Sequence, residues 1–347
     1  MRKHIGIKYD RSDGVVKPLD SIFFGGGTPS LMPPRLVGAL LAEAERAWGF
    51  SPDIEITLEA NPSSVEAANF AALAAAGINR VSLGLQALDD DALRFLGRLH
   101  DVSEGVAALD VAQRHFARVS FDLIYARPGQ APEQWRRELE RALGFGTGHL
   151  SLYQLTIEPN TRFATDVRLG AFEPLADDAA ADLFALTREL TDAAGLPAYE
   201  VSNHARPGEE SRHNLTYWRY QDYAGIGPGA HGRRGGMATV RHKKPENFLA
   251  AVARNGHGLV EERPLAPHEQ ATEALLMGLR LREGIDPGAL ARRFGLANEL
   301  IDFGRLAFYE SLGLAWREGT RVGVTPQGMP LLDALLAELV PDWLAAA

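Results

Sequence analysis

Between Leu19 and Thr156 the chain alternates short apolar runs with amphipathic stretches, and this alternation restricts the fold more than any other feature. The apolar runs are Ile22–Phe24, Ile54–Leu58, Arg80–Leu85, Val119–Ile124 and Leu150–Leu155. Between them the spacing predicts helices over Pro33–Trp48, Ser63–Ala76, Asp89–His115 (two helices) and Pro132–Leu143. Strands that alternate with helices build βα units and a parallel sheet. Helix starts are marked locally. Pro33, Pro34 and Pro132 suit first turns, where a missing N–H costs nothing, and Ser63 followed by Glu66 has the form of a capping box.

Beyond Thr156 the pattern changes. A helix is expected from Asp177 to about Ala194, and Tyr199–Asn203 reads as one more strand. Residues 203–236, rich in Gly, His and aromatics, read as a loop system. From about Pro267, helices over 268–282, 287–294 and 299–311 precede two short strands, Leu314–Arg317 and Arg321–Val324, turned at Glu318-Gly319. With a last helix near 327–340, this is a winged-helix-like unit.

Composition excludes several functions. A net charge of −9 argues against a nucleic-acid partner, since neutralising phosphates takes clustered Lys and Arg. No run of apolar residues is long enough to span a membrane, and the start has no secretory-signal pattern. The chain has no cysteine, which rules out disulfides and thiolate metal sites within it and makes the cytoplasm the default location.

Polar motifs sit just after the apolar runs, at the edge where ligands bind in barrels and open α/β sheets. Gly25-Gly26-Gly27-Thr28-Pro29 can expose successive N–H groups to an anion, or can simply be a tight βα turn. Glu59 could receive an ammonium or a ribose hydroxyl, or be an exposed strand-end acid. Gln86 ends its strand, Arg98 could hold a carboxylate in two hydrogen bonds, and Asp122 could face a barrel interior. Each alone reads as structural; five polar residues at successive strand ends read as a site. A second constellation holds His204, His213 and His231 among Tyr217, Trp218 and Tyr223. Histidine is a common axial ligand to haem and aromatics line flat apolar ligands, although three hydrogen-bonded loop histidines would look the same. The spacing of a zinc HExxH site is absent.

Taken together, Gly25–Pro29, Glu59–Pro62, Ser82–Gln86, Asp122–Gln130, Tyr153–Thr156, Tyr199–Asn203, His213–Trp218 and Gly225–Gly232 resemble, in order, the motifs of radical S-adenosylmethionine proteins. The subgroup is the oxygen-independent coproporphyrinogen III oxidase-like family, and His213-Asn-x-x-Tyr-Trp218 favours its haem-chaperone branch. The resemblance spans roughly residues 19–340. It implies an α/β fold, an open partial (β/α)6 TIM-like barrel with a small C-terminal winged-helix-like domain. Residues 1–18 lie outside the family pattern, 19–236 form the barrel with its extension, and 237–347 form the C-terminal domain. It also implies S-adenosylmethionine contacts from Gly26, Gly27, Thr28, Glu59, Gln86, Arg98, Asp122 and the backbone near Thr156.

The departures are as informative. Relatives open with a strand carrying Cys-x3-Cys-x2-Cys for a [4Fe–4S] cluster, whereas this chain offers only His4, Tyr9 and Asp10 there, and they cannot replace three thiolates. The first βα unit is expected to be lacking, leaving five barrel strands. Ala126-Arg127 stands where relatives usually carry Gly and an apolar residue, and Ser211 where many carry another cysteine. The resulting expectation is a haem chaperone that delivers haem to membrane respiratory proteins, binds S-adenosylmethionine weakly at best, holds no metal and performs no radical chemistry. Haem-binding candidates are His204, His213, Tyr217, Trp218 and His231. The alternatives are a coproporphyrinogen oxidase-like enzyme of porphyrin biosynthesis, or a truncated or late-started chain whose open sheet edge lowers stability or drives self-association.

Overall fold

Five parallel strands organise the first part of the chain, as the alternation requires. The computed structural model describes residues 18–345, so His4, Tyr9 and Asp10 lie outside the described residues. In order come β1 (Leu19–Phe24), α1 (Pro34–Trp48), β2 (Phe50–Ala60), α2 (Ser64–Ala67), α3 (Phe70–Ala75), β3 (Arg80–Gln86), α4 (Asp90–Phe95), α5 (Val102–His115), β4 (Arg118–Tyr125), α6 (Pro132–Leu143), β5 (His149–Gln154), α7 (Arg162–Arg168), α8 (Asp177–Ala193) and β6 (Asn203–Ala205). Strands β1 to β5 pair in parallel and in sequence order, and β6 adds antiparallel to β5. The result is the open partial barrel that the sequence implies. Among the described residues β1 pairs on one side only.

Side chains alternate across each strand, so the register assigns every residue to a face. Leu58, Val81 and Val119 share one row, and Ala60, Leu83, Phe121 and Leu150 the next. That face packs on the helices and forms the core with Val37, Phe70, Leu109, Trp135 and Leu139. The Tyr125 and Trp135 rings stack there at 4.8 Å. The opposite, inner face is polar: Glu55, Thr57, Arg80, Ser120, His149 and Ser151 are all buried.

Glu55 is the hub of this inner face. Its Oε2 receives Arg118 Nη1 at 2.6 Å and lies 3.9 Å from Arg80 Nε. Its Oε1 accepts the Arg212 N–H at 3.0 Å and the His213 N–H at 3.4 Å, which open α9 (Arg212–Trp218). A carboxylate is well placed against the positive end of a helix. Arg80 also donates to Ser211 Oγ at 3.3 Å and Ser120 Oγ at 3.2 Å. The segment before α9 is thereby fastened into the mouth of the sheet.

The sequence misplaces some elements. The last strand is Asn203–Ala205 rather than Tyr199–Asn203, because the buried Glu200 carboxylate turns back to accept from Ser202 N–H and Asn203 Nδ2 and bends the chain over 199–202. The helix expected over Ser63–Ala76 breaks at Ala68–Asn69. Ser63 does cap α2, but Glu66 reaches Asn61 N–H at 2.7 Å rather than closing a capping box. The loop system of 203–236 contains β6, α9 and β7 (His231–Arg234).

Two compact units part between His213 and Asn214. The second holds β7, β8 (Met237–Arg241), α10 (Pro245–Asn255) and β9 (Leu259–Pro264), of which the three strands form one antiparallel sheet. It continues with α11 (Pro267–Gly278), α12 (Pro287–Phe294), α13 (Phe303–Ser311), the hairpin β10 (Ala315–Glu318) and β11 (Arg321–Val324), α14 (Leu332–Leu339) and α15 (Asp342–Ala345). This latter part is the helix-and-hairpin arrangement read from the sequence. Among the described residues no helix is long and apolar enough to cross a membrane.

Removing the hub carboxylate leaves two guanidinium groups uncompensated inside the sheet. Glu55→Ala is expected to lower stability by about 3–5 kcal/mol, seen as a fall in the urea midpoint at unchanged m value. A loss under about 1 kcal/mol would mean that solvent already reaches these charges.

Candidate functional site

The site is built from the ends of β1 to β4. After β1, Gly26 and Gly27 adopt φ values of 74° and 55°, a left-handed backbone that favours glycine, with open space where a Cβ would stand. At Gly25 the reason is crowding, since a Cβ would meet the Phe23 ring at 2.8 Å. The Gly26 N–H donates to Glu59 Oε2 at 3.2 Å, so the glycine loop and the end of β2 face each other. Glu59 is exposed and Thr28 half-buried. Behind this rim Glu66 is buried and accepts from Ser30 Oγ and from the Asn61 N–H. It ties the loop after β1 to the loop after β2.

A second cluster lies at the ends of β3 and β4. Gln86 has φ 69°, which turns its side chain toward Asp122, and Nε2 donates to Asp122 Oδ2 at 2.8 Å. Asp122 Oδ1 is buried with no hydrogen-bond partner. Burial pushes the Asp122 carboxyl up to about 6, against the opposing pull of the Arg98 charge and the hydrogen bonds from Gln86. Ala126, just past β4, has φ 55°. Thr156 is exposed; the segment before it is held to β4 by the Leu155 N–H to Tyr125 O bond of 2.8 Å. The structure thus brings Gly26 to Glu59, and Gln86 and Arg98 to Asp122. No described hydrogen bond joins these two groups to each other or to Thr156.

An acceptor that is buried and unpaired is costly. Asp122 Oδ1 therefore marks a place for a donor such as a sugar hydroxyl, and Gly26 and Gly27 leave open space beside Glu59 at the strand ends. These residues fit S-adenosylmethionine. They do not fit an iron–sulfur cluster. The chain has no cysteine, and among the described residues no three His, Asp or Glu side chains are grouped to hold a metal.

The haem candidates fall in both units. His204 lies in the helix-facing row with Leu150, is 1% exposed, and is held down to about 3 by burial and then by the Arg188 charge. His213 stacks on Phe23 at 4.0 Å and is held down to about 4 by burial and then by Arg80. The second unit carries the other three. Tyr217 meets Tyr223 edge-on at 4.7 Å, the Trp218 Nε1–H is buried without a partner, and His231 is exposed at the start of β7.

Sequence reading missed the inner-face charges Glu55, Arg80 and Arg118 and the tie made by Glu66. A signal was present: charged residues at alternate positions inside otherwise apolar strands mark a second, polar face.

Residues 12–142 match the family model of the Radical SAM superfamily, and residues 265–331 that of the HemN C-terminal domain. The chain is 38% identical over 343 residues to the mitochondrial radical S-adenosyl methionine domain-containing protein 1 of Bos taurus, covering 94% of this chain and 76% of that one. It is 36% identical over 294 residues to heme chaperone HemW of Haemophilus influenzae, covering 82% and 74%. Against HemW of Bacillus subtilis the identity is 31% over 327 residues, covering 92% and 86%. Among solved structures, the coproporphyrinogen III oxidase HemN of Escherichia coli superposes with a TM-score of 0.75 at 22% identity, covering 92% of this chain and 77% of that one, a likeness of fold.

The rim carries an energetic cost that mutation can expose. The Asp122 carboxyl has a higher pKa folded (about 6) than its ordinary 3.8, so it favours the native state increasingly as pH falls through that window and opposes it at pH 7. Asp122→Asn is expected to stabilise the chain by about 2 kcal/mol at pH 7. His204 and His213 act oppositely: held below 6.5, they support the fold above that pH and withdraw support as pH falls toward 4 and 3. Without Asp122 to offset them, the loss of stability from pH 6.5 to 4 should steepen. Urea midpoints measured across that range for both proteins check this, and a variant no more stable than its parent at pH 7 contradicts it.

Proposed function

The chain belongs to the radical S-adenosylmethionine superfamily, in the group that holds HemW and its HemN-like relatives, and from that premise we propose that it binds haem and passes it to haem proteins of the respiratory membrane. The observation that carries this reading is the state of His213. Burial keeps its imidazole neutral at physiological pH, and a neutral imidazole is the form that binds iron. It sits at the start of α9 and stacks on Phe23. A single half-buried histidine suits a transferable cargo better than a permanent one.

In this proposal the rim residues keep a binding role. Glu59 and the loop of Gly26, Gly27 and Thr28 would hold the methionine end of S-adenosylmethionine, and Asp122, with Gln86 and Arg98 beside it, a ribose hydroxyl. Bound S-adenosylmethionine supplies a radical only when a cluster donates an electron, and this chain has no thiolate to hold one. No radical step is therefore assigned to the residues of this chain. The family likeness supports haem as cargo; a cytoplasmic location, respiratory haem proteins as acceptors and self-association complete the proposal.

Titrating the protein with hemin should produce a shifted Soret band, and His213→Ala should weaken binding at least about tenfold, a loss of about 1.4 kcal/mol. By proton NMR the His213 ring should titrate near 4 rather than 6.5. If the intact chain gives no Soret shift, the haem reading fails.

A further inference from the structure

We infer that the cavity between α4 and α6 binds a flat ring compound carrying two acidic groups. The cavity is a solvent-open cleft of about 600 Å³, within the ordinary range for small-molecule sites. It lies wholly in the first unit, just past the ends of β3 and β4. One wall is α4, where the small Ala92 leaves room beside Phe95. The other is α6, which presents Gln134, Arg137, Glu138 and Arg141 on one face because they stand three or four residues apart.

The charges in the cavity are unevenly used. Glu138 is engaged by the Arg127 guanidinium and by the Leu88 N–H at 2.8 Å. Asp89 caps α4 through the Ala92 N–H at 2.8 Å, and Asp91 pairs with Arg94. Arg137 and Arg141 pair with no carboxylate among the described residues. Arg141 Nη1 donates only to Leu88 O at 3.3 Å, across the cavity. Two guanidinium forks one helical turn apart suit two carboxylates, or a diphosphate.

Two further features fit a ligand. Phe95 is braced by Phe163, stacked at 5.1 Å, and by Phe172, edge-on at 5.2 Å, which gives the cavity a fixed apolar side. Arg127 and Glu138 are a nearly buried ion pair at the cavity floor, with side chains 10% and 8% exposed. Apolar residues of similar size would be as stable there or more so, which makes stability alone a poor reason for the pair.

This inference goes beyond the haem reading and needs no iron ligand. The same chemistry occurs in the paired propionates of a tetrapyrrole and in the diphosphate of an adenine nucleotide. The full chain should be titrated separately with protoporphyrin IX, which has no iron for histidine to bind, and with ADP. At least one is expected to bind, and Arg137→Glu with Arg141→Glu should weaken it at least about tenfold. Ala92→Trp, which fills the cavity without changing charge, should do the same. Arg136→Ala, on the flank where Arg136 pairs with Glu140 and Glu189, should change binding less than about twofold. Thermal melts confirm that each variant folds. The inference is overturned if neither probe binds, if both cavity variants bind like the parent, or if only the charge variant loses binding.

Discussion

A single carboxylate, Glu55, holds the inner face of this sheet together. It balances two arginines and receives two backbone amides from the segment that closes the mouth of the sheet. The inner face of this sheet is polar and buried, and buried polar groups need partners. The apolar work is left to the outer face, which packs against the helices in the core. This division makes the polar rim possible: strands whose outer faces are locked in the core present their ends at fixed positions.

The fold was legible because the five parallel strands carry short apolar-rich runs, and helices between them begin at proline or at a capping residue such as Ser63, Asp89 or Asp101. The errors fall where side chains override local pattern. Glu200 converts an expected strand into a bend, and β6 gains its place from pairing with β5, a long-range contact that no local signal announces. The sheet of β7, β8 and β9 escaped for a related reason: β9 is largely exposed, so apolar alternation is missing from it. The rim residues were visible in sequence as polar residues after apolar runs. Their grouping was not, since Gln86 reaches Asp122 only through a left-handed backbone that no residue type predicts.

The two histidines of the first unit show how placement separates similar residues. His204 and His213 are only nine positions apart. One points into the helix-facing core and the other lies against Phe23 on the inner face. Both are kept neutral by burial, but only His213 is near solvent. A chain without thiolates can still present a neutral imidazole at such a place.

Gln86 and Ala126 share an unusual trait: both close a strand with a backbone turn that side chains resist. Positions of this kind have a narrow mutational horizon. Glycine, and to a lesser degree asparagine, relaxes them, whereas a β-branched residue would force the strand end to re-aim. Drift at these two sites would thus move the rim before it touched the core. Homologous chains could diverge in what they bind while their helices and strands superpose unchanged.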